Sequence, residues 1–146
     1  MLMEKKLRVF LGDITHDGIV LVSDTIPINI GFIASYIKKT YGDKVDITLF
    51  KYPDDIINEI KSNPPDVIGL SNYSWTSNLS EFLASLAKKC NPNVVTIQGG
   101  TNFPHDDETQ KTFLLERPAI DIFTILEGEK SCTNIIGRIL ESNKDR

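Results

Sequence analysis

Short apolar runs alternate with stretches whose apolar positions recur every three or four residues, and this alternation continues from Leu7 to Leu140. The runs read as buried strands and the three-to-four spacing reads as helices. The pattern therefore predicts a doubly wound α/β domain, a five-stranded parallel sheet with helices on both faces. The first strand is Leu7 to Leu11. A long loop, Gly12 to Ile26, leads to a helix beginning near Pro27, whose fixed φ suits a first helical position, and Gly42 ends it. The second strand, Val45 to Phe50, alternates Val45, Ile47 and Leu49 with Asp46 and Thr48, the pattern of an edge strand covered on one face. Its helix is Asp54 to Lys61, stopped by Pro64-Pro65.

The third strand, Val67 to Leu70, is followed by the loop Ser71 to Ser77 and a helix from Asn78 to Cys90 with an apolar face of Leu79, Phe82, Leu83, Leu86 and Ala87. Val94 to Gln98 is the fourth strand, Glu108 to Glu116 a short helix, Ile122 to Leu126 the fifth strand, and Ser131 to Ser142 a closing helix. In the common flavodoxin-like strand order 2-1-3-4-5, ligands bind beyond the carboxyl ends of the strands where the order reverses. The loops that matter are then 12–26, 71–77, 99–106 and 127–130.

A chain of 146 residues is expected to be one domain, residues 1–146, able to bury a core without disulfides. Its net charge of -4, spread along the chain, predicts no nucleic-acid partner. No apolar stretch reaches the length of a membrane span, so no membrane partner is expected and the protein reads as cytoplasmic. The two cysteines, Cys90 and Cys132, do not make a zinc or redox motif, and Cys132 falls on an apolar helical stripe as a core residue.

Several ligands of such sheets are excluded by the loops. A dinucleotide would want G-x-G-x-x-G directly after the first strand, which Gly12 and Gly18 do not form. FMN would want a short Ser/Thr/Gly-dense loop there. A phospho-receiver would want an acidic pair after the first strand, an aspartate after the third and a lysine after the fifth. Here Asp13 stands alone, Ser71-Asn72 takes the aspartate's place and Glu127 the lysine's. No nucleophile and base pair supports a standalone enzyme. Asp106, Asp107 and Glu108 read as acids matched to a helix start.

Four pieces together resemble one family: P-I-N-I-G at Pro27 to Gly31, P-D-V-I-G at Pro65 to Gly69, Gly99-Gly100, and L-E-G-E at Leu126 to Glu129. In this order and spacing they are similar to the N-terminal domains of cobalamin-dependent radical S-adenosylmethionine enzymes, with Leu126 where the family has glycine. The resemblance implies that the chain binds cobalamin and holds it for a radical S-adenosylmethionine enzyme, of methyltransferase type. The alternative is a vestigial interaction domain that binds no corrin. Two cysteines cannot hold the family's iron-sulfur cluster. The cluster and S-adenosylmethionine would belong to a partner radical domain, in cis or in trans, absent from this chain.

Cobalamin's corrin is a broad plate, and in the related domains its nucleotide tail threads between the sheet and flanking helices. Gly99 and Gly100 would let backbone approach the tail, and Ser71, Asn72, Ser74 and Thr101 would meet its polar groups. Tyr73 and Trp75 would lie against the lower corrin face, or else pack over a helix end. Asp13, Thr15, Glu127 and Gly128 complete the implied site; Glu129 reads as matched to the last helix dipole. Asp13-Ile14-Thr15-His16-Asp17-Gly18 approaches a D-x-H-x-x-G cobalt-ligating motif with the wrong spacing, so His16 reads as a solvated loop histidine in preference to a cobalt ligand, and no metal ligand is assigned.

Overall fold

In the computed structural model, residues 5–16 and 26–142 are described. Five parallel strands, β1 (Leu7–Gly12), β2 (Val45–Phe50), β3 (Val67–Ser71), β4 (Val95–Gly99) and β5 (Ile122–Thr124), lie in the order β2-β1-β3-β4-β5. The expected class and strand order are both present. Two core layers flank the sheet because successive strand residues point to opposite faces. On one face, Leu7, Val9, Val67 and Ile97 pack against helices α1 (Ile28–Tyr41) and α5 (Gly128–Ser142). On the other, Phe10, Ile68 and Leu70 pack against α2 (Pro53–Ser62) and α3 (Ser77–Cys90). The short α4 (Asp107–Leu115) is capped by Asp106, whose carboxylate accepts from the Thr109 amide at 3.0 Å.

Gly42 ends α1 in a left-handed conformation, φ +55, and its N–H donates to the Lys38 carbonyl. Most boundaries differ from the pattern-based ones by one residue. The last unit differs more: β5 stops at Thr124 instead of Leu126, and α5 begins at Gly128 instead of Ser131. A Cβ on Gly128 would lie 2.9 Å from Ile33 Cδ1, so the glycine lets the first turn of α5 close directly onto α1.

Two predicted faces are also shifted. On α3 the buried side chains are Ser80, Leu83, Ala84 and Ala87, while Phe82 is half exposed. The small residues bring this helix close to the sheet, and the Ser80 hydroxyl donates to the Ser71 carbonyl at 2.7 Å. On β2, Val45 is covered but Leu49 is exposed, because the covered face does not extend to the carboxyl end of this edge strand. Cys132 is buried in the α1/α5 layer, as its apolar stripe predicts.

Candidate functional site

Strand register assembles a floor from residues far apart in sequence. Leu11 pairs with Gly69 and Gly69 with Ile97, giving one row; Ser71 pairs with Gly99 and Gly99 with Thr124, giving the next row towards the carboxyl edge. Both rows face the α1/α5 layer. Each has glycine in its middle, and the side chain of a strand neighbour leans into the space the glycine leaves. A Cβ on Gly69 would sit 2.8 Å from Leu11 Cδ2, and one on Gly99 would sit 2.5 Å from Thr124 Oγ1.

The result is an open groove of about 960 Å³ between the sheet and the two helices. Ile30 and Ile33 of α1 form one wall, and Cys132 with the first turn of α5 forms the other. Burial, reinforced by the charge of Glu129, pushes the Cys132 thiol up to about 11, so the thiol is neutral at physiological pH, while Glu129 and Lys130 of the same turn bring charge to the border of the groove. Hydroxyl and amide groups of Ser71, Thr124, Ser131, Asn29 and Asn134 border the same space. This combination suits a long ligand segment with both apolar and hydrogen-bonding parts.

A smaller hollow of about 540 Å³ adjoins the groove at Asn29 and Tyr73, which border both. The Asn29 amide donates to Ser71 Oγ at 3.2 Å and to the Tyr73 hydroxyl at 3.4 Å, holding the start of α1 against the loop after β3. Burial and the nearby Asp13 charge raise the Tyr73 phenol above its ordinary value, partly offset by hydrogen bonds to Asn29 and Ser71, so Tyr73 is a neutral group. Its ring stacks on Trp75 with centroids 5.0 Å apart. Asp13, Thr15 and His16 border the hollow from the β1 side. His16 Nε2 faces the Trp75 carbonyl at 2.7 Å and must carry the proton there, since a carbonyl only accepts. Asp17 and Gly18, the rest of the near-motif, lie outside the described residues, as does 17–25 of the first loop.

The expected site residues thus divide. Ser71, Tyr73, Gly99, Gly100, Glu127 and Gly128 border the groove, and Asp13, Thr15, His16, Tyr73 and Trp75 border the hollow beside it. Ser74 and Thr101 are exposed and border neither. Asn72 is fully buried behind the floor, where its backbone carbonyl accepts from the Asn102 amide and its side chain pairs with Asn102. It contributes to the loops' shape from the protein side. Glu129 stands in the first turn of α5, as the dipole argument expects. Sequence reasoning left Gly69, Asn29, Ser131 and Asn134 out of the site. Gly69 carried a usable signal, because a glycine inside a buried strand marks a close approach; the three polar residues carried none until the helices were placed.

A parallel doubly wound sheet whose carboxyl edge opens into a glycine-floored groove defines a ligand-binding α/β domain. Residues 15–136 match the family model described as B12 binding domain, and the chain belongs to that family. It is 31% identical over 81 residues, 56% of its length, to the cobalamin-dependent radical SAM methyltransferase TokK of Streptomyces tokunonensis, and covers 12% of that protein. An uncharacterized methyltransferase of Pyrococcus horikoshii is 27% identical over 116 residues, 75% of this chain and 24% of the relative. The chain therefore spans a quarter or less of these curated relatives. Among solved structures, a cobalamin-binding protein from Desulfitobacterium hafniense superposes with a TM-score of 0.63 at 14% identity, covering 92% of this chain and 59% of that one, a likeness of fold.

No helix among the described residues is long and apolar enough to cross a membrane. Nor do the described residues hold a cluster of three or more His, Cys, Asp or Glu side chains that would bind a metal ion.

Proposed function

We propose that the chain binds cobalamin as the cofactor-holding domain of a cytoplasmic radical S-adenosylmethionine enzyme of methyltransferase type. The nucleotide tail lies in the groove and the corrin rests over the carboxyl edge of the sheet. The observation that carries this reading is the groove of about 960 Å³ bordered by Gly69 and Gly99 of the sheet and by α1 and α5, in a member of the B12-binding family. The groove fits the group in size and in donor set: Ile30 and Ile33 of α1 give it apolar surface, and Ser71, Thr124 and Ser131 place hydroxyls where tail oxygens and nitrogens would otherwise be buried without partners. The cobalamin supplies the reactive cobalt; the residues of this chain position it. The iron-sulfur cluster and S-adenosylmethionine belong to a radical domain in the same or another chain.

The test is direct. The purified chain is mixed with hydroxocobalamin, desalted and scanned in the visible range. About one cobalamin per chain should be retained. A colourless protein, with no binding in a titration, would leave the domain as an interaction module that binds no corrin.

A further inference from the structure

The turn from β5 into α5 contains a residue in an unfavourable conformation. Leu126 has φ +64, the left-handed region where a Cβ crowds the backbone. The chain leaves β5 at Thr124 and enters α5 at Gly128, which is pressed against Ile33, so three residues must reorient it and Leu126 takes the left-handed position. Glycine or asparagine would adopt this conformation more readily.

Leu126 is 91% exposed and the adjacent Ile125 is 55% exposed, yet both border the groove at its mouth. Two large apolar side chains thus stand in water beside a cavity, one of them on a backbone that disfavours it.

We propose that Leu126, with Ile125 beside it, forms an apolar ledge that supports the edge of the corrin ring. The proposal rests on the cobalamin reading and adds a contact specific to this chain, which carries leucine at the position. A corrin has methyl and methylene groups around its rim, and a seated ring would remove both side chains from water. Covering a leucine in this way is enough for roughly a tenfold gain in affinity. The left-handed φ of Leu126 bears on folding stability, which is read separately from affinity.

The test compares the parent chain with Leu126→Gly and Leu126→Asn, both of which suit the left-handed backbone. Thermal midpoints are measured, together with Kd for hydroxocobalamin and for cobinamide, a corrinoid without the nucleotide tail. Both variants should melt at or above the parent's midpoint and bind both corrinoids about tenfold more weakly. Unchanged affinity in the variants would overturn the ledge and leave the cobalamin reading standing. Weakening confined to hydroxocobalamin would place Leu126 against the tail and overturn it also. A parent chain that takes up neither ligand removes the cobalamin reading along with it.

Discussion

The backbone carbonyl of Asn72 occupies the space that a Cβ on Gly100 would need. Gly100 has φ +140, and the contact recurs along the Asn72 backbone, whose nitrogen would lie 3.1 Å from that Cβ. The Asn72 amide in turn donates to the Gly99 carbonyl at 2.7 Å. The loops after β3 and β4 are thus locked together, and the missing side chain at Gly100 is explained by the protein's own packing.

Gly100→Ala should accordingly cost roughly 2–4 kcal/mol of folding stability, the sum of a disfavoured φ and a backbone overlap that no rotamer relieves. Urea denaturation of the ligand-free chain measures it. A loss below about 0.5 kcal/mol would mean that the two loops separate easily.

Gly69→Ala should behave in the opposite way. Alanine in a strand regains about 0.5–1 kcal/mol of glycine's entropic cost, while its methyl presses on the flexible end of Leu11, so net stability should stay within about 1 kcal/mol of the parent. The displaced Leu11 side chain and the new methyl both intrude on the groove floor. Cobalamin affinity should fall about tenfold or more in a spectroscopic titration, and equal affinity would show that the ligand does not reach this row.

His16 and Trp75 give a paired spectroscopic expectation. Since His16 Nε2 is engaged with the Trp75 carbonyl, the electron paramagnetic resonance spectrum of bound Co(II) should be the same in the parent and in His16→Ala. Nitrogen splitting that disappears in the variant would make His16 a cobalt ligand. Trp75 is the single tryptophan and is 67% exposed beside the hollow, so its fluorescence should be quenched on corrin binding.

Asp121 supplies a pH dependence. Burial works to raise its pKa, but hydrogen bonds from Lys88 Nζ and from the Thr96 amide and hydroxyl outweigh it, and the carboxyl sits below its ordinary value of 3.8. A folded-state pKa below the unfolded one contributes stability that is fully present above about 3.8 and is lost as pH falls through the lowered folded value. Asp121→Asn should cost roughly 1 kcal/mol at pH 7, a figure reduced by solvent screening of this partly exposed pair, and should flatten the acid limb of a stability profile. An acid limb identical to the parent's would assign the loss to other carboxylates.

Periodicity and glycine–proline punctuation made the sheet and most helix limits legible, because these depend on local spacing and on which faces must be buried; the strand order followed from the arrangement common to such alternating elements. The end of β5 was not legible: Ile125 and Leu126 extend an apolar run, yet both leave the strand, since the packing of Gly128 on Ile33 decides where α5 starts. Loop positions brought Ser71, Tyr73, Gly99, Gly100, Glu127 and Gly128 to the border of the groove. Polarity alone did not place a residue at a cavity: Asn72 satisfies its groups with Asn102 and Gly99, and Ser74 and Thr101 border neither cavity. Asn29 showed no signal as a bridge until α1 was placed beside Ser71 and Tyr73.

One further relationship concerns the far end of the groove. Below Ile33 and Cys132, α1 and α5 close on each other: Ile37 and Ile136 are fully buried, and the Tyr41 hydroxyl donates to the Thr133 carbonyl at 2.9 Å across the gap that Gly137 leaves. Among the described residues the groove is therefore closed at this end and opens at the carboxyl edge. Geometry then fixes an order of events. Whatever passes through that edge into the cleft must enter before anything closes over it, and it leaves by the same way only once the edge is uncovered, so exchange there becomes a matter of when the edge is free as well as of how tightly the walls grip.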